Sequence, residues 1–236
     1  SLMRLTTMAR NGDFVRSNLL KEYISDIELV NAGAIVAGFS EPQTSRDCVG
    51  LYEIATGQMT SLFCQETYWP ARSMNKEMTY EFPYFVRFAM DSQGRLYAGS
   101  GVAYEFTAMS LAGQVEFKFR KEKERIPVYG EMLDRISNMT LKGPNPYVRN
   151  PHFPIFESLA VDERRRIWVQ HYLPKISELT NPETPYDVFS PDGIFLFETR
   201  IPGHMNSKPV FKNGFVYALR KIESGYVRAV RLKVRE

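Results

Sequence analysis

The chain has 236 residues, of which 44% are hydrophobic and 24% charged, and its formal net charge is +3. This balance excludes an intrinsically disordered chain, and a positive charge so small and dispersed argues against nucleic acid as a partner. No apolar run approaches the roughly 18 residues of a membrane-spanning helix, so the composition is that of a globular domain large enough to bury a sizeable core.

From the N-terminus, MARNGDFV at 8–15 places a polar turn and Gly12 between two short apolar runs. The same punctuation returns in YEIATGQMTSL at 52–62, MSLAGQVEFKF at 109–119 and FSPDGIFLFET at 189–199. Each reads as a type I turn closed by a left-handed glycine, at Gly12, Gly57, Gly113 and Gly193. A second unit, apolar strand, polar turn, aromatic-rich strand, precedes three of these turns. Its copies are DIELVNAGAIVAGF at 26–39, VRFAMDSQGRLYAG at 86–99 and ESLAVDERRRIWVQ at 157–170, with PVFKNGFVYAL at 209–219 as a fourth. Within them apolar and polar residues alternate, as Ile167 and Val169 do against Trp168 and Gln170, which is the period of a strand and not of a helix.

The two cysteines flank the hairpin CVGLYEIATGQMTSLFC. A three-residue turn at Ala55-Thr56-Gly57 sets Cys48 opposite Cys64, so a cross-strand disulfide is geometrically allowed and would suit an exported protein. Two free, half-buried thiols are the preferred expectation. No CxxC spacing points to a structural zinc site.

Two long insertions interrupt the rhythm. Glu66 to Phe82 carries Tyr68, Trp69 and Tyr80; Arg120 to Pro154 opens with RKEKER, whose mixed signs read as a solvated loop, and continues with VYGEMLDRISNMTL, whose spacing predicts a short amphipathic helix. The best-formed stretch is Ile155 to Ile201. It reads as four strands, Phe156 to Val161, Arg166 to His171, Pro185 to Phe189 and Ile194 to Ile201.

Four strands joined in sequence, repeated along a chain, make the blade of a β-propeller. The expected organisation is all-β, one propeller domain over 1–236 of four-stranded antiparallel blades. A partial blade spans 1–22, whole blades span about 23–66, 84–120 and 155–201, and a C-terminal partial blade spans 208–234. About four to five blades are thus represented. The chain opens Ser-Leu-Met, and further blades and an export signal are expected upstream of it.

LAVDERRRIWV, YDVFSPDGIFLFETRIPG and VFKNGFVYAL resemble the C-terminal blades of bacterial six-bladed propellers of the NHL and TolB-like type. The matching residues are Val161-Asp162, Ile167-Trp168-Val169, Tyr186-Asp187-Val188-Phe189 and Asp192-Gly193. The likeness is good over about 155–234, weaker over 84–119 and only a strand rhythm before that. It implies a six-bladed ring and an extracytoplasmic location. Asp162 and Asp192 are expected to form turns by bonding nearby amides, and Trp168 to pack between blades.

In a propeller the links entering each first strand and those joining second to third strands share a face, where rigid blades converge side chains. All three histidines fall in such links: His152, His171 and His204. His171, ending RIWVQHY beside Tyr172, is best placed, whereas His152 and His204 read first as surface or turn histidines; Arg149 with Tyr147 and His152 could hold an anion but is expected to be loop scaffolding, and Trp168 near the channel could stack on a ligand. Some enzymes of this fold hold zinc through histidines from separate blades, which makes His152, His171 and His204 the alternative zinc set. A lactonase-like calcium site needs acidic and amide ligands on inner strands; Asp26, Glu28 and Glu157 could serve, although alternation places Asp26 and Glu28 as easily on a solvated face. No nucleophile elbow, P-loop or HExxH motif is present. The expectation is a non-catalytic module binding a protein, glycan or small molecule, without a cofactor. The alternative is a metal-assisted hydrolase or lyase, lactonase-like or amidating-lyase-like, at the channel mouth.

Overall fold

Strand-period side chains and closely spaced turns leave no helix among the described residues of the computed structural model, which are 3–8, 11, 13–20, 23–41, 46–66, 85–128, 152–173, 183–205, 207–221 and 226–233. Four antiparallel sheets of four strands are arranged as a β-propeller with four blades. A hairpin of β1 (Met3–Met8) and β2 (Phe14–Leu20) comes first. Blade one is β3 (Tyr23–Asn31), β4 (Ala34–Glu41), β5 (Arg46–Glu53) and β6 (Gln58–Glu66). Blade two is β7 (Val86–Met90), β8 (Leu96–Ser100), β9 (Glu105–Met109) and β10 (Val115–Arg120). Blade three is β11 (Phe156–Val161), β12 (Ile167–His171), β13 (Glu183–Phe189) and β14 (Phe195–Pro202), the four strands expected there to within two residues. Blade four holds β15 (His204–Met205) and β16 (Val210–Lys212) on one side of β17 (Phe215–Lys221), with β18 (Val227–Lys233) on the other.

The cores lie between blades, because a strand's two faces serve two neighbours. In blade three, Ile167, Val169 and Phe189 pack against Phe106 and Phe119 of blade two, while Trp168, Tyr186 and Val188 pack against Val216 and Ala218 of blade four. Val36 and Val49 meet Phe88 and Leu96 between blades one and two, and Leu5 of the first hairpin covers Ile24 and Tyr52. Phe106, Phe156 and Phe189 are fully buried; burial of each stabilises by about 1.5–3 kcal/mol.

The first hairpin turns of blades two and three also tie them to their neighbours. In blade three Asp162 accepts the amides of Arg164 and Arg166 and the indole N–H of Trp168. In blade two Asp91 accepts the amides of Gln93 and Arg95 in the same way. Gly94 takes the left-handed position of that turn with φ 81°, and Arg165 occupies the equivalent place with φ 64°. A left-handed non-glycine costs about 1–2 kcal/mol; here the Arg165 guanidinium reaches back to buried Asp91 at 2.9 Å. Glu163 in turn accepts the amides of Asn213 and Gly214 in blade four.

Of the expected left-handed glycines, Gly57, Gly113 and Gly193 have φ of 71°, 78° and 81°, and Gly12 lies outside the described residues. Gly193 is needed twice over, since a Cβ there would sit 2.5 Å from that of Phe119. In the Asp192 turn the amide-bonding side chain is Ser190, which accepts from Asp192 and Ile194, while the Asp192 carboxylate is 81% exposed and faces Arg95. Serine reaches these amides from the turn's first position, as Ser110 does in blade two.

The cysteine expectation is corrected. Cys48 and Cys64 form a disulfide and no described cysteine is free. The turn is one residue longer than expected, because Glu53 pairs with Gln58, and a bulge between Val49 and Gly50 restores the register that sets the two cysteines opposite each other. The helix expected near 128–141 falls, apart from Val128, outside the described residues, as do Tyr68, Trp69, Tyr80, Tyr147 and Arg149.

Candidate functional site

Strand alternation builds a polar cluster from the same faces that build the core between blades two and three. Val169 lies opposite Asp187, so Ile167, Val169 and His171 on β12 share a face with Asp187 and Phe189 on β13, and that face looks toward blade two. From blade two, Tyr104 precedes Phe106 by two residues, and the series Phe117, Phe119, Lys121, Lys123 carries the same alternation beyond the end of β10. Apolar side chains fill the depth of the seam. The polar ends emerge on the face of the links between second and third strands.

The Asp187 carboxylate has no exposure, and four side chains converge on it. Lys121 Nζ lies 2.9 Å from Oδ1, and the Tyr104 hydroxyl donates to Oδ2 at 2.6 Å. His171 Nε2 and Lys123 Nζ approach Oδ2 at 3.1 and 3.5 Å. Burial works against the ionised carboxyl, but hydrogen bonds from His171, Lys121 and Tyr104, with the charge of Lys123, outweigh it and hold Asp187 well below the ordinary carboxylate range. Burial and the Asp187 charge push the Tyr104 phenol far up, so it remains a donor. Burial, reinforced by Lys121 and opposed by Asp187, lowers Lys123 to about 8. The two ammonium groups also cover aromatic rings, Lys121 over Phe195 at 3.9 Å and Lys123 over Tyr104 at 4.8 Å.

Of the sequence-derived candidates, His171 belongs to this cluster. Tyr172 stacks on Phe153 at 5.4 Å, beside half-buried His152, whose backbone bridges Pro127. Trp168 is buried, donates to Asp162 and lies against Phe211 of blade four, so it packs between blades. The backbone of His204, on β15, pairs with Lys221 of β17; the His204 side chain and Arg149 lie outside the described residues. The inner-strand acids have their own cations: Lys208 pairs with Glu28 and lies 3.8 Å from Asp26, and Arg87 lies 3.6 Å from Glu157.

Among the described residues, the ligand atoms that gather around His171 belong to Asp187 and Glu198, all within 4.8 Å. This set does not suit a zinc or calcium ion. Asp187 already faces the ammonium groups of Lys121 and Lys123 and accepts from the Tyr104 hydroxyl, and a metal would have to displace two cations to reach it. The other potential set, Glu41 with Cys48 and Cys64, has no thiolate to offer because the sulfurs are bonded to each other.

Sequence reasoning passed over Tyr104, Lys121, Lys123 and Asp187 as site residues. RKEKER was read as solvated, yet Lys121 and Lys123 are drawn inward, to 30% and 22% exposure. The signal was FKFRKEK itself, in which two lysines continue the inward phase of two phenylalanines.

No family model and no curated protein sequence matches this chain. Its fold is similar to that of a member of the DUF4221 family from Bacteroides vulgatus, with a TM-score of 0.55, 11% identity, 98% of this chain and 73% of that one covered. A protein of unknown function from Bacteroides caccae matches with a TM-score of 0.44 and 13% identity over 93% of this chain and 65% of that one. Virginiamycin B lyase from Staphylococcus aureus matches with 0.43 and 12% over 99% and 60%. The chain therefore spans about two thirds of the length of these proteins. At 11% identity the DUF4221 likeness shows a shared β-propeller fold.

Proposed function

We propose that the protein is a ligand-binding propeller that takes a small molecule bearing an anionic group at the Asp187 cluster, between blades two and three. The observation that carries this reading is the convergence of Lys121, Lys123 and His171 on one buried carboxylate, with the exposed Glu198 as the further acid beside them. Asp162 is satisfied by donors of its own blade, and Asp91 largely so. Asp187 instead gathers side chains from two blades, two of them lysines that keep part of their surface in water. An acidic ligand group at the rim would compensate the second ammonium.

Two finer readings belong with it. The repeated aromatic-to-Asp hydrogen bond, Trp168 donating to Asp162 and Tyr97 to Asp91, supports membership of the six-bladed NHL and TolB-like group. The Cys48–Cys64 disulfide supports export to an oxidising compartment.

Titration of the purified protein with succinate and with inorganic phosphate, followed by calorimetry, tests the binding site. Saturable binding of either anion that disappears in the Lys121→Met/Lys123→Met variant is expected. Absence of binding, or binding indifferent to both lysines, overturns the proposal. Metal analysis supplies the second arm: stoichiometric zinc or calcium lost on His171→Ala would replace the binding module with a metal-assisted hydrolase or lyase.

A further inference from the structure

Two ammonium groups share the Asp187 carboxylate unequally. Lys121 makes the short contact, 2.9 Å to Oδ1. Lys123 is left with the long one, 3.5 Å to an oxygen that also receives Tyr104 at 2.6 Å and His171 at 3.1 Å. Its side chain is 22% exposed, so water compensates its charge poorly while a small molecule can still reach it. The groups facing it are Lys121 on its own segment, Tyr104 from the β8–β9 link, Asp187 on β13 and Glu198 on β14. Asp187 is shared by two partly buried cations, and Glu198, the further acid near Lys123, is exposed, so the more weakly held ammonium, Lys123, is the one that loses its proton readily. A desolvated amine beside a second cation is the arrangement that turns lysine into a nucleophile.

We infer that Lys123 captures the carbonyl group of an aldehyde or keto-acid ligand as a reversible imine. This rests on reading the Asp187 cluster as the ligand site, and it adds a covalent mode to that site. The neutral Nζ lone pair attacks the carbonyl carbon, forming the C–N bond while the C=O π pair moves to oxygen. The nitrogen gives up its two protons in turn to that oxygen, which leaves as water as the nitrogen lone pair closes the C=N bond, so amine plus carbonyl become imine plus water with no oxidant or reductant consumed. Tyr104, which donates to the same carboxylate oxygen, and His171, 3.1 Å from it, stand beside the amine where protons are exchanged.

The test is reductive trapping with glyoxylate and cyanoborohydride at pH 8, followed by digestion and mass spectrometry. With a proton affinity near 8, Lys123 has about a hundredfold larger neutral fraction there than an ordinary lysine. Carboxymethylation of Lys123 is expected to outrun that of Lys118 at least tenfold, although Lys118 is 61% exposed. Lys123→Arg, which keeps the cation, should lose this adduct and retain the others. Lys121→Met should slow the labelling of Lys123, because Asp187 then serves one ammonium and holds its proton more tightly. Labelling in proportion to exposure, or a Lys121→Met rate equal to or above that of the unmodified protein, overturns the inference. Glyoxylate that binds by calorimetry without a trapped adduct also overturns it and leaves the binding site standing; neither binding nor adduct removes both.

Discussion

Replacing Asp187 by asparagine keeps the shape of the side chain and removes the charge on which four side chains converge. Asparagine offers one acceptor oxygen, which the buried Tyr104 hydroxyl needs, and turns an N–H pair toward the remaining donors. Breaking a buried ion pair by deleting one partner costs about 3–5 kcal/mol. Here Lys121 and Lys123 are 30% and 22% exposed and can swing partly into water, which brings the expected loss to about 2–4 kcal/mol. Urea unfolding followed by the fluorescence of buried Trp168, on the neighbouring strand, measures it. The midpoint should fall with an unchanged slope. Asp192→Asn, at an 81% exposed position, should stay within about 0.5 kcal/mol. Adding Lys123→Met to Asp187→Asn should recover about 1 kcal/mol, because the stranded cation is gone. An Asp187→Asn variant within about 0.5 kcal/mol of the parent would refute the claim that this carboxylate organises the seam.

The other predictions concern pH, strain and the disulfide. The depressed Asp187 carboxyl contributes stability that is fully present above its ordinary value of 3.8 and is lost as pH falls toward its folded value, so Asp187→Asn should flatten the acid limb of a stability–pH profile. Lys123 is an amine lowered from 10.5 to about 8; between those values the unfolded chain binds more protons, so stability rises with pH, and Lys123→Met should abolish that rise. At Arg165, with φ 64°, glycine and alanine both remove the pair with Asp91 but only glycine relieves the backbone, so Arg165→Gly should be about 1 kcal/mol more stable than Arg165→Ala in the same assay. Reducing Cys48–Cys64, which closes a separation of 16 residues, should cost about 3 kcal/mol. Thiol titration of the denatured protein without reductant should find no free sulfhydryl.

Most of the architecture was legible because it is local. Gly57, Gly113 and Gly193 mark turns whose backbone only glycine adopts freely, and period-two alternation assigns faces without knowledge of the partner. Asp162 and Trp168 could be placed for the same reason, since their bonds close within six residues. The disulfide pairing was within reach of register arithmetic, although the longer turn and the bulge had to cancel for it to hold.

The site was not legible, because it is a property of two blades meeting. His171 announced itself as a histidine at a strand end. Asp187 read only as part of the Tyr-Asp-Val-Phe blade pattern, and Lys121 and Lys123 as a charged loop. What joins them is a separation of 66 residues between Lys121 and Asp187 and of 83 between Tyr104 and Asp187. By itself, then, the sequence determined the blades, because backbone conformation and side-chain alternation are set by neighbours in the chain. Only the packing of blade two on blade three decided which charges lose their water, and desolvation is what makes one carboxylate the anchor and one lysine the reactive amine.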